Sequence, residues 1–160
     1  MKSSSIKYRI LLVEDEEHLQ DTIKLNLDLE GYEVEVAADG KKALDVAGKK
    51  HFDLIILDIM LPEINGFQVC ESVRLQGNQV PILILSAKGN IRDKVKGLKL
   101  GADDYLSKPF DLEEFLLRVK KLLFRIDYKT ESDLTKGLFR FGGNIVNFLT
   151  YEIVNASNEK

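Results

Sequence analysis

The sequence predicts an α/β protein: a (βα)5 fold, with five parallel strands in a doubly wound sheet and helices on both faces. Three observations predict it. Five short apolar runs alternate with segments of helical periodicity. The runs "ILLV", "LIIL" and "ILIL" carry no polar alternation, so both of their faces are covered, as in parallel strands. Three runs end in polar chemistry, at Glu14-Asp15, Asp58 and Ser86, and the fifth leads to Lys108. In such a sheet all carboxyl ends share one edge, which is where a site belongs.

The elements follow in order. Strands are expected at Arg9–Val13, Tyr32–Ala37, Leu54–Asp58, Ile82–Ser86 and Tyr105–Ser107. The first helix, Glu17–Glu30, carries Leu19, Ile23 and Leu27 at four-residue spacing and is stopped by Gly31. A short second helix, Lys41–Lys49, follows Asp39-Gly40. Phe67, Cys70 and Val73 line one side of a third helix. Ile91, Val95 and Leu98 line one side of a fourth, which ends near Gly101. The fifth is the clearest, with Asp111 as N-cap before Leu112, Phe115, Leu116, Val119, Leu122, Leu123 and Ile126. Right-handed crossovers join the strands.

Composition narrows the class of function. The chain of 160 residues is 44% hydrophobic and 31% charged, which suits a packed domain rather than a disordered one. Its net charge of −3 offers no general attraction to nucleic acid. A single cysteine, Cys70, cannot form a disulfide within the chain. No long apolar run follows the polar start, so neither a signal peptide nor a membrane span is expected, and the expected location is the cytoplasm.

The apolar stretch Leu54–Leu57 delivers the chain to an acid, Asp58. An unpaired carboxylate in apolar surroundings is costly, so Asp58 needs a wet rim or a cation. Glu14, Asp15 and Asp58 would converge at the strand ends, with Glu16 and Glu17 close by. Crowded carboxylates need a cation or raised pKa values. An all-oxygen donor set suits Mg2+, and no His/Cys spacing for zinc is present. His18 and His51 are isolated and fall at no expected strand end. A metal beside a carboxylate suggests phosphoryl transfer to that carboxylate, with Lys108 as a second positive charge and Ser86 as a hydroxyl for a phosphoryl oxygen. Ala87 is small and leaves room for the group.

The stretches "VEDEE", "LIILDIMLPEINGF", "ILILSAK" and "GADDYLSKPF" run in this order over about residues 7–126. They resemble the receiver domain of bacterial two-component response regulators of the OmpR/PhoB type. The resemblance implies a flavodoxin-like receiver fold with strand order 2-1-3-4-5. It implies that Asp58 is the phospho-acceptor and that Glu14, Asp15, Asp58 and the backbone carbonyl of Met60 hold Mg2+. It makes Ser86 the switch hydroxyl, Tyr105 the aromatic that responds to it, and Lys108 the phosphoryl contact, with a cis bond to Pro109. A sensor histidine kinase is the implied phosphodonor. The domain would catalyse only its own phosphorylation and dephosphorylation, so it would be a switch rather than an enzyme. The family's dimers pair through the fourth helix, fifth strand and fifth helix. The matching positions are Val95, Leu98 and Leu116, with Lys94–Glu114 and Asp104–Arg118 as cross-pairs. Lys99 departs from the family's usual acid, and its usual partner position is the equally basic Lys120, so that pair would repel.

Beyond the expected receiver domain, 1–126, the texture changes. "DYKTESDLTKG" reads as a linker, 127–137. "LFRFGGNIVNFLTYEIVN" alternates apolar and polar residues around Gly142-Gly143, which indicates antiparallel strands. Residues 138–160 resemble the opening strands of the family's winged-helix DNA-binding domain, without its recognition helix and wing. DNA is therefore expected as a partner only through a winged helix missing from this chain. Three competing functions are weaker. An aspartate-nucleophile phosphatase needs an acid where Met60 stands, and a nucleotide or flavin binder needs a phosphate loop where "EDEEH" would repel phosphate. A phosphorylation-independent interaction module leaves the site residues without a role.

Overall fold

In the computed structural model, five strands and five helices alternate in the expected order. The strands are β1 (Arg9–Val13), β2 (Glu33–Ala37), β3 (Leu54–Asp58), β4 (Ile82–Ser86) and β5 (Asp104–Ser107). The helices are α1 (Glu17–Leu29), α2 (Gly40–Lys49), α3 (Gly66–Leu75), α4 (Ile91–Lys99) and α5 (Leu112–Asp127). The structure describes residues 7–87, 89–127, 138–141, 144–147 and 152–155. The chain divides into two compact units, Met1–Leu122 and Leu123–Lys160.

In the first unit all five strands pair in parallel, in the order β2-β1-β3-β4-β5. This is the flavodoxin-like order, with its switch point between β1 and β3. Every residue of β3 and β4 is buried. Successive side chains of a strand point to opposite faces. Leu11, Val13, Ile55, Leu57, Ile82 and Ile84 join Ala43 of α2 and Phe67, Cys70 and Val73 of α3 in one apolar cluster. The alternate residues Ile10, Leu12, Leu54, Ile56, Leu83 and Leu85 are buried as well, as are Ile23 and Leu27 of α1 and Phe115 and Val119 of α5. Each buried Val, Leu, Ile or Phe among them contributes roughly 1.5–3 kcal/mol.

Local chemistry sets the helix ends. Asp39 caps α2 through Lys42 N, and Asp111 caps α5 through Glu114 N, as expected for the fifth helix. Asn65 and Gln68 form a reciprocal capping box at the start of α3. Gly31 stands after α1 at φ 92°, a left-handed conformation that glycine adopts without a Cβ penalty.

The fourth helix departs from the simple reading of its periodicity. Ile91, Val95 and Leu98 are exposed, and Gly97 is the buried residue of α4. A Cβ on Gly97 would lie 2.9 Å from Ile84 Cδ1 and 3.4 Å from Tyr105 Cδ2. The helix therefore packs on the sheet through a backbone that comes close because a side chain is missing, and its apolar stripe faces solvent.

In the second unit the backbone forms a three-stranded antiparallel sheet, β6 (Leu138–Phe141), β7 (Asn144–Asn147) and β8 (Glu152–Asn155), in that order. Phe141 pairs with Asn144, and Asn147 pairs with Glu152. Apart from Asp127, the expected linker lies outside the described residues. No helix among the described residues is long and apolar enough to cross a membrane.

Candidate functional site

Strand register brings the site together. Val13 pairs with Leu57, Asp58 with Leu85, and Ser86 with Ser107. Glu14 follows Val13 and Lys108 follows Ser107, so four strands deliver Glu14, Asp58, Ser86 and Lys108 to one edge within two residues of the same level. Glu14, Asp58 and Ser86 are the buried polar residues of the described chain.

One ammonium joins two of these carboxylates. Lys108 Nζ donates to Glu14 Oε2 and to Asp58 Oδ2, each at 2.8 Å. The other oxygen of Asp58, Oδ1, accepts from the backbone N–H of Met60 at 3.0 Å. The Met60 side chain itself is exposed. Glu14 Oε1 accepts from the Glu16 N–H at 3.1 Å. Asp15 is exposed, and one carboxylate oxygen from each of Glu14, Asp15 and Asp58 lies within 4.8 Å of the others.

The charges do not balance within this group. Burial raises the Glu14 pKa, and the Asp58 charge adds to the rise, while the bond from Lys108 opposes it. Burial disfavours the Lys108 ammonium, but its bonds to Asp58 and Glu14 outweigh that and raise its pKa. Lysine neutralises one of three carboxylates, which leaves a surplus of negative charge at a set of hard oxygen donors. That donor set fits a small divalent cation such as Mg2+.

The remaining candidate residues surround the acids. Ser86 is fully buried and Ala87 beside it is exposed. Ser86 hydrogen-bonds the buried Tyr105, whose phenol pKa is raised by burial and pulled back by that bond. The Lys108 N–H donates to the Ser86 carbonyl at 2.8 Å, and the Lys108–Pro109 bond is cis.

On the face of α4, β5 and α5, Lys94, Val95, Leu98 and Glu114 are exposed, while Asp104, Leu116 and Arg118 are half-buried. Arg118 is engaged within its own chain: it donates to both oxygens of Asp104, at 2.8 and 3.0 Å, and to Glu114 at 2.9 and 3.2 Å. Lys99 and Lys120 are both exposed.

Two residues that shape the site escaped the sequence reading. A Cβ on Gly66 would stand 2.3 Å from the Asp58 carbonyl oxygen and 2.6 Å from Ile59 Cα. The loop from Asp58 therefore folds back onto the start of α3 only because residue 66 is glycine. The Gln20 side-chain amide donates to the Glu14 carbonyl. In the sequence Gln20 is one more polar residue on the first turn of a helix, with nothing to distinguish it.

Residues 10–120 match the model of the response regulator receiver domain. The chain belongs to the response regulator receiver family. Among relatives, it is 47% identical over 130 residues to the response regulator ArlR of Staphylococcus saprophyticus, covering 81% of this chain and 58% of that protein. It is 50% identical over 117 residues to the transcriptional regulatory protein PcoR of Escherichia coli, covering 73% and 52%. Among solved structures, the receiver domain of the Francisella response regulator 1452 superimposes with a TM-score of 0.73 at 35% identity, covering 75% of this chain and 99% of that one. The chain spans about half the length of the curated relatives it matches. As a receiver it is a phosphorylation-based signalling switch of a two-component system, and the acidic pocket of receivers is where Mg2+ binds.

Proposed function

We propose that this receiver takes a phosphoryl group from a phosphohistidine of a sensor kinase onto Asp58 and later releases it to water. The observation that supports it most is the meeting of Asp58 with Lys108, Glu14 and Asp15 at one strand edge. A carboxylate oxygen of Asp58 attacks phosphorus as the P–N bond of the donor breaks, and the electron pair leaves with the imidazole. Glu14, Asp15, Asp58 and the Met60 carbonyl would hold Mg2+, which supplies charge neutralisation between the anionic nucleophile and the anionic phosphoryl group. Lys108 is already bonded to Asp58 and follows the new phosphoryl oxygens as a point charge. The Met60 N–H holds the carboxylate plane.

The phosphoryl group adds charge and acceptor oxygens that draw the Ser86 hydroxyl away from Tyr105. Moving a population from 1:99 to 99:1 takes about 5.5 kcal/mol of differential stabilisation, the scale of two or three charge-assisted hydrogen bonds. The output is dimerisation through Lys94, Val95, Leu98, Asp104, Glu114, Leu116 and Arg118, which requires Arg118 to exchange or share its bonds within the chain. Lys99 facing Lys120 weakens that dimer relative to an acid–base pair. Residues 138–160 open a winged-helix domain that would carry DNA binding in a longer protein, and the place of action is the cytoplasm.

A small-molecule phosphodonor with Mg2+ tests this, read by intact mass and sedimentation velocity. One phosphoryl mass is gained and the sedimentation coefficient rises. Asp58→Asn gains no mass, and modification that persists in it rules out Asp58 as the acceptor.

A further inference from the structure

The carboxylate of Asp15 is the least supported member of the acidic trio. Glu14 is held by Lys108 and by the Glu16 N–H, and Asp58 by Lys108 and the Met60 N–H. Asp15 is exposed and takes no hydrogen bond from any described side chain. Its direction is therefore set by the backbone that carries it. That backbone is fixed on its strand side by the Glu14 N–H, which donates to Ala37 O at 3.1 Å. On its helix side, Glu16 caps α1 through the Leu19 N–H at 3.1 Å. Between these two anchors lies the peptide that joins Glu14 to Asp15. Its carbonyl is the acceptor for the amide of Gln20. Because the peptide unit is planar, holding the carbonyl oxygen also fixes the N–H and Cα of Asp15.

We infer that Gln20 is a positioning residue for the cation site: its amide sets the Glu14–Asp15 peptide so that the Asp15 carboxylate is presented to Glu14 and Asp58. The inference rests on the cation reading given above. Gln20 touches neither the cation nor the phosphoryl group. It lowers the ordering that Asp15 must undergo when the cation arrives. The three donors are held in place from the ends of β1 and β3 and from the first turn of α1, so the helix is coupled to the cation site through one side chain.

The test is calorimetric titration of the full chain with MgCl2, for the wild type, Gln20→Leu, Gln20→Met and Asp15→Asn, with urea unfolding of each in the absence of Mg2+. Leu and Met keep the size of the side chain and remove the donor. Loss of one hydrogen bond predicts Mg2+ binding weaker by about threefold to tenfold in both. Because the bond is present without the metal, the metal-free urea midpoint should fall slightly, and the Asp58 phosphorylation rate should recover to within about twofold of wild type once Mg2+ is saturating. Asp15→Asn should lose binding more severely. Wild-type affinity in both Gln20 variants, with Asp15→Asn impaired, overturns the inference and leaves the cation reading standing. A lowered urea midpoint with a phosphorylation rate that stays low at saturating Mg2+ assigns Gln20 to structure alone and also overturns it. No Mg2+ binding by the wild type overturns the cation reading itself.

Discussion

Among the described residues, two places hold one cation between two carboxylates, and they differ in kind. Lys108 bridges Glu14 and Asp58 with side-chain exposures of 20%, 1% and 6%. Arg118 bridges Asp104 and Glu114 with 36%, 27% and 48%. The stoichiometry is the same, but the first trio has been taken out of water. Its cost of desolvation is large, its members depend on one another, and its negative surplus is concentrated beside Asp15. The second trio is bathed and screened, and each member can rehydrate. Chemistry that needs a reactive carboxylate beside a fixed positive charge can be built on the first arrangement. The second is suited to exchanging partners at a surface.

Removing the central cation is the strongest way to separate them. Lys108→Met leaves Glu14 and Asp58 buried without their shared ammonium, and stability at neutral pH should fall by about 3 kcal/mol in urea unfolding. Adding Asp58→Asn to Lys108→Met should recover much of that loss, which a double-mutant cycle measures. Equal losses with and without Asp58 would show that the trio is not coupled. Displacing the carboxylate instead of its cation comes next. Gly66→Ala places a Cβ against the Asp58 carbonyl and the Ile59 backbone, where no rotamer relieves the clash. A loss of about 1–3 kcal/mol is expected, with phosphorylation of Asp58 slowed even in the molecules that fold.

The pH dependence is a finer probe of the buried trio. The folded-state pKa of Glu14 is raised, chiefly by burial, so the folded protein favours its protonated form more than the unfolded chain does. The stability this gives is present below the ordinary glutamate value of 4.5 and is lost as pH rises through the folded pKa. Without Mg2+, the stability of the wild type relative to Glu14→Gln should therefore fall on going upward from that pH, as urea midpoints across a pH series will show. A wild-type curve parallel to that of Glu14→Gln would contradict the raised pKa. The smallest effect belongs to the exposed trio: Arg118→Ala should cost no more than about 1 kcal/mol and lose even that in high salt, whereas the Lys108 effect should persist.

Much of this was legible in the sequence because burial and strand direction have strong signatures. Unbroken apolar runs such as "LIIL" identify covered parallel strands, and once their direction is known the residues after them must share an edge. Glu14, Asp58, Ser86 and Lys108 follow from that alone. Two kinds of information were not legible. Periodicity marks an apolar stripe but not what the stripe faces: it put Ile91, Val95 and Leu98 on one side of α4, only the family resemblance put Val95 and Leu98 on an outer face, and neither pointed to Gly97 as the contact with the sheet. Close approaches are also silent, because Gly66 matters through an absent Cβ and Gln20 through a partner that is a backbone carbonyl. The pairing of Arg118 with Asp104 inside one chain was hidden for a related reason: complementary charges in a sequence do not say whether they meet within a molecule or between two.

The attachment of α4 is uneven along its length. Past its C-terminal end, Arg74 of α3 grips the Gly101 carbonyl through two nitrogens, at 2.8 and 3.0 Å, and reaches Asp103 as well. Midway, Gly97 rests on Ile84 and Tyr105, and toward the N-terminus Ile91 hangs in solvent. A rod clamped at one end and lightly supported at its middle behaves as a cantilever, compliant at the tip that follows Ser86 in the chain. A displacement at the strand edge would move that tip most and die away toward the end that Arg74 holds.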